Sequence, residues 1–245
     1  MADSRTEWDE QDSQRFIDYG AYYVPEREVQ IDLMCRLVPP GADGALHLVE
    51  LCCGEGLLSA ALLDRFPDAQ LHAFDGSDAM LAATRKRTAE HGERLETQRF
   101  DLAATDWRDL PYRPQAVLSS LAVHHLDDAG KRTLFTDIAG MLAPGGAFIL
   151  ADLFEPTTAE ASAVSADHWD DAVRERAKAI DGDLKAFEQF RSDGWNYYRD
   201  PDGDPVDQPA SVADQLRWMA VAGLERADIH WMRAGHAVLS ARKAK

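Results

Sequence analysis

Long apolar runs are missing from this chain. No stretch of its 245 residues approaches the roughly 20 consecutive apolar residues that a membrane helix requires, so no membrane partner is expected. Residues 1–10 are polar and acidic, with neither the basic start nor the apolar core of a secretory signal. The expectation is a cytoplasmic protein. Cysteine is scarce: Cys35, Cys52 and Cys53. An odd count with two neighbours adjacent is no disulfide framework, and no Cys/His spacing marks a zinc site, so no metal is expected. Basic residues are few, with 26 Lys and Arg against 43 Asp and Glu and a net charge of −17. So acidic a surface repels phosphate backbones, and no nucleic-acid partner is expected. The densest basic run, Arg85-Lys86-Arg87, reads as a solvated helix face. Large polyanionic substrates are disfavoured, and small neutral or cationic ones are easier to accommodate. Internal repeats and low-complexity segments are also lacking.

The composition that remains is that of an ordinary globular protein, 45% hydrophobic and 28% charged. Its length suits one large α/β domain or a domain with a sizeable insertion. Residues 1–20 read as a loosely ordered leader with Trp8 and Phe16 as anchors, and 19–25 as an aromatic patch. Apolar spacing predicts a helix over 26–37, stopped by Pro39-Pro40-Gly41. Segments at 46–52, 70–74, 95–100, 115–119 and 147–153 predict strands, the first short and apolar and the last strongly apolar. Helical patterns at 57–66, 79–91 and 129–141 lie between them. This alternation predicts an α/β fold with a mostly parallel sheet and helices on both faces. The rhythm breaks after Pro156 and resumes with a helix at 212–222, with Gly223 as its C′ residue. Strands at 226–232 and 236–241 then form a hairpin through Arg233-Ala234-Gly235. The expected organisation is an N-terminal helical cap (1–40), a core (41–156), a lid insertion (157–210) and a helix with a β-hairpin completing the core (211–245).

The segment Leu48-Val49-Glu50-Leu51-Cys52-Cys53-Gly54-Glu55-Gly56 places a glycine-rich turn between a strand and a helix. Such a turn lets a ligand approach the backbone, and the helix start offers free N–H groups. The next strand ends in Phe74-Asp75. An acidic residue there accepts hydrogen bonds from ribose hydroxyls in a doubly wound fold. NAD is the weaker ligand, because Ser59 stands where the third glycine of G-x-G-x-x-G belongs.

Taken in order, these segments resemble class I methyltransferases that use S-adenosylmethionine (SAM). Val49 to Gly56 resembles their motif I, an acidic residue followed by G-x-G-x-G. Phe74-Asp75-Gly76-Ser77 resembles the ribose step, with Met80 matching a residue that packs on adenine. Phe100-Asp101-Leu102 resembles the step at which an Asp meets the adenine amino group. Ser119-Ser120-Leu121-Ala122-Val123-His124-His125-Leu126 resembles the segment beside the reactive methyl. Leu142-Ala143-Pro144-Gly145-Gly146 resembles the turn into strand five. The likeness covers roughly 45–155 and the terminal hairpin. It implies a Rossmann-like, doubly wound sheet, mostly parallel with an antiparallel last strand, carrying a helical and aromatic lid insertion. It also implies SAM as cofactor, S-adenosylhomocysteine (SAH) as product and a small-molecule acceptor. The implied cofactor residues are Glu50, Cys52, Gly54, Gly56, Asp75, Gly76, Met80, Asp101, Leu102, Ser119 and Ser120. Cys52 departs from the pattern, standing where the first glycine lies. Its Cβ disfavours positive φ, so either the turn takes a negative-φ form or the pocket is altered.

Methyl transfer needs the acceptor held about 3–3.5 Å from the methyl and water excluded. A base is needed only for an acceptor that arrives protonated. His124 and His125 are the candidate catalytic residues, since an imidazole titrates near neutrality. The structural alternative is that one ring satisfies a backbone carbonyl and the other caps the loop. Trp195, Tyr197 and Tyr198 sit beside turn residues and are candidate lid and substrate contacts, whereas Phe187 and Phe190 pack at helical spacing. Tyr19, Tyr22, Tyr23 and Arg27 are candidates to close the other side, a tyrosine or arginine reaching the methionine carboxylate of SAM. Trp231, Arg233 and His236 flank the last turn. Two other readings stay open. One is a carboxy-SAM synthase-like enzyme acting on SAM itself, with Arg217 near the position of its carboxylate-holding arginine. The other is a non-catalytic SAM or SAH binder. No N-P-P-Y signature follows strand four, and Asp127-Asp128 reads as a helix cap rather than a metal cluster. The N-terminal aromatics and the lid offer surface for a homodimer.

Overall fold

Alternating short apolar runs and helical patterns fold into a seven-stranded sheet covered by helices, seen here in a computed structural model that describes residues 8–41, 46–201 and 206–245. The strands are Leu46–Leu51 (β1), Ala69–Asp75 (β2), Leu95–Arg99 (β3), Ala116–Ser120 (β4), Ala147–Leu153 (β5), Leu224–Arg233 (β6) and His236–Lys243 (β7). The helices are Glu10–Tyr23 (α1), Arg27–Leu37 (α2), Leu57–Arg65 (α3), Asp78–Arg87 (α4), Asp128–Met141 (α5), Ala159–Asp181 (α6), Lys185–Ser192 (α7) and Val212–Val221 (α8). Sheet order is β3-β2-β1-β4-β5-β7-β6. The first five strands run parallel, and β7 is antiparallel to both β5 and β6. The expected α/β sheet with an antiparallel last strand is therefore observed.

Successive residues of a strand point to opposite faces, and the core divides accordingly. Val49, Phe148 and Leu150 join Phe135, Ile138 and Met219 on one side. Leu48 and Ile149 join Met34, Leu58 and Leu62 on the other. All seven residues of β5 are buried, as a central strand covered on both faces must be. Strand order reverses between β1 and β4, so the crevice beyond their carboxyl ends is where a doubly wound sheet binds ligands.

The N-terminal segment corrects the expected loose leader, because residues 10–23 form a helix. Asp9 caps it by accepting from the backbone N–H groups of Gln11 and Asp12, and Asp12 returns the contact to the N–H of Asp9. This reciprocal capping satisfies N-terminal donors that would otherwise be orphaned. Helix α1 packs against α4, α6 and α7. The insertion is built on α6 and α7. Trp169 donates its indole N–H to Tyr23 O at 2.7 Å, and Arg176 pairs with both oxygens of Glu28 at 2.9 and 3.0 Å. Tyr198 locks the insertion to the last hairpin, its hydroxyl lying 2.8 Å from Phe154 O and 2.9 Å from Gly235 O. Only glycine fits at Gly235, where φ is +74° and a Cβ would fall 2.0 Å from that hydroxyl. Residues 202–205 of the turn-rich segment lie outside the described residues.

Candidate active site

Strand β1 runs out into the Cys52–Gly56 turn, closed by Cys53 N–H to Phe74 O at 2.9 Å and Gly56 N–H to Cys53 O at 3.0 Å. The structure corrects the negative-φ alternative for Cys52, which takes φ +55° as a glycine would. Gly56, at φ +80°, approaches α4 so closely that a Cβ would sit 2.8 Å from Thr84 Cα. Gly56 thus shapes the turn and is not among the residues lining the cavity. Burial pushes both thiols well above the ordinary range, so they stay protonated and weakly nucleophilic.

The turn opens on a cavity of about 1040 Å³. Asp75 reaches it from the end of β2. Its Oδ2 accepts from Gly54 N–H at 2.8 Å and its Oδ1 from Ser77 N–H at 2.9 Å. Burial raises its pKa, opposed by those amide donors. Glu50 is buried beneath the turn. Burial pushes it up to about 8, while Ser59 Oγ donates to it at 2.5 Å and opposes the rise. Gly76, Met80, Asp101, Leu102 and Ser120 line the same cavity with Cys52 and Gly54. Ser119 does not, since its side chain is turned into the sheet and donates to Leu51 O at 3.2 Å.

Arg27 forms part of the opposite wall. Its guanidinium carbon lies 5.1 Å from the centre of the Phe16 ring. Its Nε and Nη1 are buried and have no hydrogen-bond partner among the described residues. Burial lowers its pKa, offset in part by attraction to Glu55 and Glu50. A guanidinium in the lining of a cavity suits a ligand carboxylate. Trp8, Glu10, Ser13 and Phe16 line the wall beside it. Glu10 also accepts from Ser77 Oγ at 2.7 Å and Asp78 N–H at 3.0 Å, placing a negative charge at the start of α4, where the helix dipole favours it.

After β4 the chain passes through Leu121, at φ +58°, into a single 3₁₀ turn, Val123–His125. The two histidines part company there. His124 is buried. Its Nδ1 meets Asp152 Oδ1 at 2.5 Å, its backbone N–H donates to Asp152 Oδ2 at 3.0 Å, and its Nε2 lies 3.4 Å from Asp207 Oδ1. Burial opposes its charge, but the two carboxylates outweigh burial and push it up to about 10. An imidazole kept protonated cannot accept a proton at neutral pH, which corrects the expectation of His124 as a base. His125 lines the cavity. Its Nδ1 is 3.1 Å from Asp207 Oδ1, and its ring lies 5.3 Å from that of Trp8. Asp207 comes from the end of the insertion. It is held by Gln208 N–H to His124 O at 2.8 Å and by the Lys131 ammonium on Gln208 O and Leu126 O. Nothing in the local sequence around either histidine announces Asp207 or Asp152.

The proposed aromatic wall is also rearranged. None of Tyr19, Tyr22, Tyr23, Trp195, Tyr197 and Tyr198 is among the lining residues. Tyr22 donates to Asp181 at 2.8 Å, Tyr23 is packed between Tyr19, Phe190 and Trp195, and Tyr198 is the buried lock described above. Tyr197 packs against Tyr198. Trp195 backs the wall from behind, with ring centres 6.1 Å from Trp8 and 6.3 Å from Phe16. Arg217 is exposed and paired with Asp214 at 2.5 Å, so the carboxylate-holding arginine of the carboxy-SAM reading is not at the cavity. Trp231 and Arg233 both bind Glu26, and His236 is buried with Nδ1 on Ala234 O. Asp127 caps α5, as expected, by accepting from Gly130 N–H.

A doubly wound sheet of this strand order, with a glycine turn after β1, a carboxylate at the end of β2 and a cavity at the switch point, is a Rossmann-like arrangement. Residues 48–146 match the family model described as a methyltransferase domain. Among curated relatives, a trans-aconitate 2-methyltransferase of Acidovorax sp. (strain JS42) is 34% identical over 116 residues, 47% of this chain and 40% of that protein. Another of that name, from Variovorax paradoxus (strain S110), is 29% identical over 208 residues, 79% of this chain and 73% of that protein. Two solved structures share the fold. An O-methyltransferase family protein from Burkholderia thailandensis has a TM-score of 0.66 at 17% identity, over 97% of this chain and 61% of that one. An O-methyltransferase family 2 protein from Planctomyces limnophilus, in complex with apigenin, has a TM-score of 0.61 at 18% identity, over 99% and 63%.

Proposed function

We propose that this protein transfers a methyl group from SAM to a small-molecule acceptor, with His125 receiving the acceptor's proton. The observation that carries the reading is the convergence of the Cys52–Gly54 turn, Asp75, Asp101 and the unpartnered Arg27 on one cavity. The residues fit the cofactor. Asp75 keeps lone pairs for ribose hydroxyls beyond its two amide contacts, Asp101 and Leu102 flank the adenine side, and Met80 packs there. Arg27 offers its guanidinium charge to the methionine carboxylate. SAM supplies a methyl group activated by a sulfonium. The protein positions the acceptor, excludes water and takes up a proton. With Nδ1 of His125 turned to Asp207, Nε2 is the nitrogen left to accept it. The Asp207 carboxylate beside the ring stabilises the imidazolium as it forms. A cytoplasmic setting goes with this reading, supported by three free cysteines, which persist in reducing compartments. Among the described residues no helix is long and apolar enough to cross a membrane.

Two measurements test the proposal. Calorimetric titration should show binding of SAM and SAH, and no binding of either would refute the reading. With an acceptor in hand, His125→Gln should leave SAM affinity unchanged and lower kcat by about 10²–10⁴. An unchanged kcat would remove His125 from the reaction. SAM binding without turnover of any acceptor would leave a binding protein.

A further inference from the structure

Around the proposed proton acceptor the cavity changes character. Near His125 it is lined by Leu121, Ala122, Leu126, Val206 and Trp8. These are apolar or aromatic groups, with the Trp8 ring tilted 47° to that of His125 and nearly perpendicular to that of Trp195. Among the described lining residues only two are permanently cationic, Arg27 and Arg99. Neither serves this end. Arg27 lies toward Glu50 and Glu55, on the side where the methionine carboxylate would sit. Arg99 is next to the adenine-side segment and already holds Asp78 at 3.1 Å. The lining acidic residues Asp9, Glu10, Glu50, Asp75 and Asp101 make the potential around a second anion unfavourable. The chain as a whole carries −17 and would slow the approach of an anionic substrate rather than steer it.

A carboxylate buried without a partner loses its hydration with no return. Relatives named for trans-aconitate are named for a tricarboxylate, and the described residues around His125 offer no permanent cation to receive three negative charges. We propose that the acceptor of this enzyme is a neutral molecule with a flat, apolar or aromatic body bearing one ionisable hydroxyl, and not a polycarboxylate. The inference rests on the methyl-transfer reading above. The flat body lies against Trp8, beside Leu121 and Ala122, with its hydroxyl on His125. In the step itself, the acceptor oxygen bonds to the methyl carbon as the carbon–sulfur bond breaks. The electron pair stays on sulfur, which leaves as the SAH thioether, and the hydroxyl proton passes to Nε2 of His125.

The test uses the full chain with SAM and two acceptor panels, 2-naphthol and neutral hydroxyflavones against trans-aconitate and citrate, with SAH formation as the readout. SAM binding is measured separately, so that loss of the cofactor reading is seen as such. The expected result is turnover of a neutral aryl hydroxyl at a kcat/KM at least about a hundredfold above that of either polycarboxylate. Tryptophan quenching of the SAH-loaded protein should show the same order of binding. Trp8→Ala should raise KM for the neutral acceptor about tenfold or more while SAM affinity holds. Methylation of trans-aconitate at a comparable rate overturns the inference. So does a protein that binds SAM yet neither binds nor methylates any neutral member of the panel.

Discussion

Replacing Arg27 by methionine should move stability and cofactor binding in opposite directions. The side chain buries a guanidinium whose Nε and Nη1 lack partners among the described residues. Each unsatisfied donor costs at least about 1 kcal/mol, so two cost about 2 kcal/mol or more. The contact with the Phe16 ring returns about 1 kcal/mol. Methionine fills similar volume with no polar atom, so the free protein should gain about 1 kcal/mol, or about 2–4 °C in Tm. The cofactor complex should lose a charge-assisted carboxylate pair, about 2–5 kcal/mol, which is roughly 30- to several-thousandfold in affinity. At a SAM concentration of about 100 times the wild-type Kd, the wild type gains about 2.7 kcal/mol. For the variant that gain should collapse toward zero. Scanning calorimetry with and without SAM reads both arms. A variant that melts lower than wild type and still shows the full SAM-induced shift would refute the assignment of Arg27 to the carboxylate.

Cys52→Gly should stabilise the free protein. Relief of positive φ is worth about 1–2 kcal/mol against about 0.4–1 kcal/mol of added chain entropy in the unfolded state, so urea unfolding should show a small net gain. An unchanged or lowered midpoint would mean that the thiol makes compensating contacts in the cavity. The His124 cluster predicts a pH dependence. His124 is raised to about 10 in the fold against about 6.5 unfolded. Its stabilising contribution is therefore complete below about pH 6.5 and is lost as pH rises through about 10. Urea midpoints between pH 6 and 10 should fall, and Asp152→Asn should flatten that slope. An equal slope in the variant would show that another group titrates.

The sheet was legible because its central strands β1, β2, β4 and β5 are short and largely apolar, and because glycine or proline punctuates the helices between them. The cofactor side was legible for a related reason: each contributing residue follows directly on the end of a strand, so a local segment carries both the element and the chemistry. Helix α1 was missed because its residues average out as polar. Its signal was present in the Asp9/Asp12 capping pair and in Phe16, Tyr19 and Tyr23, spaced to share a face. The roles of the two histidines were not legible at all. Identical neighbours in sequence, they differ because Asp152 on β5 and Asp207 at the end of the insertion reach the two rings differently, and no local pattern encodes those long-range partners. The tyrosines misled because turn-rich surroundings suggested a mobile flap, whereas α6 and α7 bury Tyr23 and Tyr198 in a packed layer.

Helix α1 has a consequence for how ligands exchange. The wall it forms is attached by side chains, with Glu10 at the start of α4 and Tyr22 and Tyr23 on the α6–α7 layer, whereas the opposite wall belongs to the hydrogen-bonded sheet. Amide protons of α1 should therefore exchange with solvent through local opening well before those of β1 and β4. If SAH leaves by that route, its residence time is set by how often one capped helix lifts from its neighbour. Turnover would then respond to salt and to the Glu10 contact without any change in the chemical step.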